Sequence, residues 1–249
     1  AHYIKGNIHK LKGDFQNATT HYLRCIESDP RNHHAYRDLI FTLQACGNID
    51  QAKNTLKKAI SVFPELIDFH FSIAEMYFNE KAYEQVIDHL QKALKIKPGH
   101  LECNLNLAKA FAKNGRNEEA IACYQEVLSN DAENFEANAG IGTILVAVKK
   151  SEHAIRYLEL ASVMKPDDIS VRQNLGNAYH DLGATDKALA QFKEVVRIAP
   201  NSPLKHLIAS FSGITTDSAP KEYIENLFDE YASSFDSHLA EALEYNVPQ

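Results

Sequence analysis

Five prolines set the register of this chain. Pro30, Pro64, Pro98, Pro166 and Pro200 stand 34, 34, 68 and 34 residues apart, and Ala132 fills the place where the series skips a step. A fixed period of this length marks a stacked array, in which each unit covers the apolar face of the next and no single central core is needed. The repeating unit is clearest between Asp168 and Pro200. Leu175, Gly176 and Tyr179 recur at the spacing of one helix face, and Ala188, Phe192 and Val195 do so on a second helix. Gly183 lies in the turn between them. Pro200 cannot continue the hydrogen-bond ladder, so it closes the unit.

These residues resemble the tetratricopeptide (TPR) unit, which carries Leu-Gly and Tyr in its first helix, Ala and Phe in its second, and Pro at its exit. The small places recur: Gly6, Ala74, Ala108, Gly142 and Gly176 in one series, Ala18, Ala52, Ala120, Ala154 and Ala188 in the other. The resemblance implies an all-α fold, a right-handed TPR superhelix (α-solenoid) of six helix-turn-helix units over 1–30, 31–64, 65–98, 99–132, 133–166 and 167–200. One elongated array is the simplest organisation. Ile40 and Val86 depart from the two small-residue series, so looser or shifted packing is expected there. Gly140 and Gly142 each cost about 1 kcal/mol against Ala in a helix interior, which implies close helix approach in the fifth unit.

Beyond Pro200 the period breaks. Ser202-Pro203 opens a capping helix over 201–213, and 214–249 reads as a linker and two further helices. The segment from 219 to 245 resembles the helical entry to the catalytic domain in bacterial proteins that join TPR arrays to S-adenosylmethionine-dependent methyltransferases. Leu227, Phe228, Asp229, Tyr231, Ala232, Phe235, Asp236, His238 and Leu239 carry that likeness. It implies that the chain is the non-catalytic N-terminal part of such a protein. The other reading of the same stripe is a C-terminal cap. Opening on Ala1 inside a helical pattern, the sequence reads as an excised segment without a signal peptide.

The function classes are narrowed by what chemistry needs. The net charge of −7 and the lack of a clustered basic face argue against nucleic acid. No apolar run approaches a membrane span. Cys25, Cys46, Cys103 and Cys123 form no C-x-x-C pair and read as reduced small hydrophobes of a cytoplasmic protein. Among twelve histidines only His33 and His34 adjoin, and no third ligand is near, so no metal is expected. Asp167, Asp168, Glu118 and Glu119 sit where acids offset a helix dipole. No strand leads into a glycine-rich turn, so no cofactor is expected and this chain is not read as an enzyme.

What remains is a binding surface. The first helices of successive units should line a concave groove for a peptide or partner surface, with Arg37, Phe41, Phe71, Phe78, Asn106, Lys109, Lys113, Asn174, Asn177 and His180 facing it. Asn bonds a partner backbone in both directions, and Lys109 with Lys113 suits a carboxylate. Ser72 and Gly140 interrupt any continuous Asn ladder. The alternative is a self-assembling scaffold, stacked through the apolar face of Tyr3, Ile4, Ile8 and Leu11 in the first unit.

Overall fold

In a computed structural model the structure describes residues 1–211. They form thirteen helices, with no strand among the described residues: α1 (His2–Leu11), α2 (Phe15–Ser28), α3 (His33–Ala45), α4 (Ile49–Val62), α5 (Ile67–Asn79), α6 (Tyr83–Ile96), α7 (Leu101–Lys113), α8 (Asn117–Asn130), α9 (Phe135–Ala147), α10 (Ser151–Met164), α11 (Ile169–Asp181), α12 (Thr185–Ile198) and α13 (Leu204–Phe211). From α3 onward each odd helix begins 34 residues after the last through α11, as does each even helix through α12. The expected linker and the two helices of 214–249, with the residues that resemble a methyltransferase entry, lie outside the described residues.

Local chemistry starts and stops these helices. Side chains of Asp14, Asn32, His100 and Asp168 cap α2, α3, α7 and α11, each accepting a backbone N–H three residues on. Gly13, Gly47, Gly115 and Gly183 supply the left-handed residue of four intra-unit turns. Lys81 and Lys149 hold that place in the third and fifth units, at φ 59° and 58°. A further device satisfies the unit exits. Nε2 of His70 meets the Pro64 carbonyl at 3.0 Å, Nδ2 of Asn138 donates to Ala132 at 3.0 Å, and Nε of Arg172 donates to Pro166 at 2.9 Å. All three occupy one place in the repeat, just inside the first helix. Each reaches back to the carbonyl at the preceding exit, which the ended helix leaves without a partner.

The fold divides into two compact units, Ala1–Ile144 and a second from Leu145 onward. The division falls within α9, so it does not follow a boundary between helix pairs. In the first unit Tyr22, Leu39, Leu56, Phe69 and Ile73 belong to one continuous buried cluster. In the second, Leu158, Val171, Leu175, Phe192 and Val195 are buried, and α13 packs on α12. Ser202 supports the start of α13 through its hydroxyl, which accepts from the Leu204 N–H at 3.3 Å.

Aromatic and small residues exchange volume between paired helices. A Cβ on Gly6 would lie 2.6 Å from the Tyr22 ring, and one on Gly176 would lie 2.4 Å from Phe192. In the fourth unit the small place holds Ala108, and the Tyr124 ring lies instead against Gly140 of α9, at 2.5 Å from a hypothetical Cβ. Close approach at Gly140 is therefore real, and its partner is the preceding unit. The Ile40 departure leaves α3 and α4 in sparser contact than the other first-unit helix pairs, whereas Val86 is buried without loosening α5 against α6. Cysteine packing needs one correction: Cys25 and Cys103 are buried, but Cys46 is exposed at the end of α3, where the helix has already turned away from the core.

Candidate functional site

Two neighbouring cavities open along the first helices of the first unit. The larger, about 340 Å³, is lined among others by Phe71, Glu75, Phe78, Val86, Leu90 and Asn106. The second, about 280 Å³, takes Arg37, Phe41, Asp68 and Phe69 among its walls. Gln44 borders both, which joins them into one groove across α3, α5 and α7. Helical spacing explains the alignment. Arg37, Phe41 and Gln44 follow one face of α3, and Phe71, Glu75 and Phe78 follow the corresponding face of α5. Phe41 is 55% exposed, a large apolar surface left in solvent. Phe78 is held edge-on by Tyr83 at 5.5 Å between ring centroids.

The sequence-derived surface residues separate into three groups. Arg37, Phe41, Phe71, Phe78 and Asn106 come together in this groove. Lys109 is already engaged: its Nζ pairs with Glu136 at 2.8 Å, on the next first helix. Lys113 is exposed at the end of α7 and lines neither cavity. Asn174, Asn177 and His180 lie on α11 in the second unit and also line neither. Sequence reasoning missed Gln44, Asp68 and Glu75. The signal for Gln44 and Glu75 was present, since each falls three or four residues from a chosen phenylalanine on the same helix face.

The groove is electrostatically uneven. Arg37 shares a hydrogen bond with His34 at 3.2 Å, close to Phe41 and Asp68. At the larger cavity Glu75 has no ion pair among the described residues, and partial burial, followed by the charge of Glu102, raises its carboxyl above the usual range. Behind the groove His70 and His89 meet at 3.2 Å through their Nδ1 atoms. Burial, the largest cause, lowers His89 to about 4, while Tyr77 stacks on its other side at 5.8 Å. With Nε2 of His70 directed at a carbonyl, its Nδ1 serves as acceptor and His89 as donor.

Among the described residues no group of three or more His, Cys, Asp or Glu is placed to hold a metal ion. No helix among them is long and apolar enough to cross a membrane. Asp168 caps α11, Asp167 pairs with Arg197 at 2.7 Å, and Glu119 pairs with Arg116 at 2.7 Å. These acids hold the scaffold.

Comparison with known proteins agrees with this architecture. No curated protein sequence matches the chain. A solved tetratricopeptide repeat protein from Parabacteroides merdae superposes with a TM-score of 0.66 at 15% identity, covering 92% of this chain and 96% of its own. YrrB, a TPR protein with an unusual peptide-binding site, superposes at 0.65 with 17% identity, covering 77% of this chain and 97% of its own. Pseudomonas aeruginosa PilF gives 0.63 at 15% identity, over 85% of this chain and 95% of its own. Family models described as tetratricopeptide repeat match residues 1–32, 77–144 and 169–202. Those three stretches take up more than half of the sequence, and two of them, 1–32 and 169–202, each enclose one helix pair: the chain belongs to the tetratricopeptide-repeat family.

Proposed function

We propose that this chain is a protein-interaction scaffold that holds a peptide or partner surface in the groove across α3, α5 and α7. One observation carries the reading: successive first helices present Phe41, Phe71 and Phe78 into adjoining cavities of a size suited to single large side chains. Core aromatics at the same spacing would be sealed, yet Phe41 stands more than half exposed. Gln44, Asn79 and Asn106 border the apolar floor and supply donors and acceptors for an extended backbone. YrrB, with its peptide-binding site, lends support through the shared fold.

The test is a pull-down of partners by the intact chain and by a Phe41→Ala/Phe71→Ala/Phe78→Ala variant whose helicity is checked by circular dichroism. Loss of captured partners with helicity retained supports the groove. An unchanged set of partners rejects it. The four free thiols support a cytoplasmic setting. The likeness of 219–245 to a methyltransferase entry supports the further reading that the scaffold brings partners to a catalytic domain. Reading the gene past the codon for Gln249 tests it, and a stop codon there removes it.

A second reading, assembly through α1, is favoured by the exposure of Ile4 at 64% and Leu11 at 85% on one helix. Light scattering across concentration decides it, since a mass that stays monomeric excludes stacking.

A further inference from the structure

We propose that the groove selects a peptide segment bearing a basic side chain, Arg or Lys, next to an apolar one. The cation sits at Glu75 and Glu102, and the apolar group enters the cavity walled by Phe71, Phe78 and Leu90. This inference rests on the docking role proposed above and names the chemistry of the occupant.

Equivalent steps along the array carry different charges. The residues at 41 and 68, at 75 and 102, and at 109 and 136 occupy the same two places on successive first helices, one 34-residue step apart. At the last step the two places hold Lys109 and Glu136, and they close as an ion pair at 2.8 Å. One step earlier both places hold carboxylates, Glu75 and Glu102, and among the described residues neither forms an ion pair. Burial, as the larger cause, and the Glu102 charge, as the second, raise the Glu75 carboxyl, in keeping with the equivalent places that the two acids share with Lys109 and Glu136. Glu102, like Asp68 and Glu136, stands in the first turn of its helix, where the dipole favours an acid; Glu75 has no such role, and its like charge opposes the contact that Lys109 and Glu136 reinforce.

Two neighbouring cations are committed: Lys53 pairs with Glu80 and lies over the Tyr77 ring, and Lys109 pairs with Glu136, while Arg37 borders the other cavity beside His34. Lys113 is exposed further along α7, past the cavity wall. The larger cavity therefore combines an apolar floor with Glu75 on its wall, and Glu102 holds the equivalent place on the next first helix. An incoming guanidinium or ammonium gains charge-assisted hydrogen bonds to these carboxylates beside the Phe71 and Phe78 side chains. An acidic segment meets repulsion at the same place, and a neutral one leaves the two acids unrelieved. The overall charge of −7 also favours approach of a cationic partner.

Fluorescence anisotropy with the full chain tests this, using four fluorescein-labelled short peptides that carry Arg, Lys, Gln or Glu between leucines. The Arg and Lys peptides should bind about tenfold more tightly than the Gln peptide, the Glu peptide most weakly, and added salt should narrow the spread. Glu75→Gln/Glu102→Gln should erase the preference while leaving the Gln peptide within about twofold of its original affinity. Both side chains are exposed, so the variant should keep its helicity. Equal binding of the Arg and Gln peptides, or a preference that survives the double substitution, overturns the inference. If peptides bind without regard to charge and Phe71→Ala/Phe78→Ala abolishes that binding, the docking role stands and the basic preference falls. If no peptide binds, or if binding ignores the phenylalanines, both fall.

Discussion

The exchange of volume between Gly176 and Phe192 makes a sharp prediction about stability. In Gly176→Ala the new methyl would lie 2.4 Å from Cε1, 2.7 Å from Cδ1 and 3.0 Å from Cζ of Phe192. Reaching ordinary contact demands a ring shift of about 1 Å, yet Phe192 is only 1% exposed and has no space to retreat into. Overpacking of this severity costs up to about 3 kcal/mol. Alanine's helix propensity returns about 1 kcal/mol, so the net loss should be about 2 kcal/mol, or roughly 4–8 °C in the midpoint of heat unfolding. Phe192→Leu alone removes ring contacts and should cost about 1–2 kcal/mol. The double variant reproduces the Ala74 and Leu90 pair of the third unit, where both residues are already buried. It should therefore lose less than Gly176→Ala alone, with a favourable coupling of about 2 kcal/mol. Urea unfolding followed by circular dichroism measures all four corners of the cycle, and hydrogen exchange on α11 and α12 checks that the loss is local. Additive single effects, or a Gly176→Ala variant stabilised by its propensity gain, would refute the packing argument.

Other consequences are simpler to state. Lys81→Gly should stabilise the chain by about 0.5–1 kcal/mol, because Lys81 occupies a left-handed turn that glycine enters without strain; an unchanged urea midpoint counts against it. Asp168→Ala should cost about 1 kcal/mol by removing the cap on the Val171 N–H, and Asp168→Asn should recover most of that loss. His89 is lowered from 6.5 to about 4 in the folded chain, so the unfolded chain binds the extra proton first and stability falls as pH drops from about 6.5 towards 4. The ring is only half-buried, so the loss should be about 1 kcal/mol near pH 5, and His89→Gln should flatten the pH dependence of the urea midpoint. Cys46 should react with N-ethylmaleimide in the native chain, while Cys103, fully buried and raised to about 11, should react only after unfolding; mass spectrometry of the labelled sites decides.

The helix order was legible because it depends on local rules applied at a constant interval. Prolines marked the exits, glycines marked four of six intra-unit turns, and Asp168 announced its cap. The turns at Lys81 and Lys149 could not be read as left-handed from the side chain, since nothing local makes lysine favour that conformation. Likewise, the tie from His70, Asn138 or Arg172 to an exit carbonyl uses three different residue types for one task, so no single-letter pattern reveals it. For the groove, spacing found the aromatic members of each helix face. It did not find that Lys109 is engaged, because its partner Glu136 belongs to the next helix pair and the meeting depends on how two first helices lie side by side.

That last point separates the two kinds of matching in this molecule. Large and small residues are matched across helices: Tyr22 against Gly6 and Phe192 against Gly176 inside a helix pair, and Tyr124 against Gly140 of the next pair where Ala108 has taken the nearer place. Between neighbouring units the charges are matched in the same way at Lys53 with Glu80 and at Lys109 with Glu136. Of the three equivalent steps along the first helices, the one with Lys109 and Glu136 closes as an ion pair, while Phe41 with Asp68 and Glu75 with Glu102 hold the same places without one. Glu75 stands on the wall of the larger cavity, beside the partly exposed Phe71 and Phe78, where the interior does not depend on it. On the docking role proposed above, a bound segment supplies the charge that this step of the repeat does not.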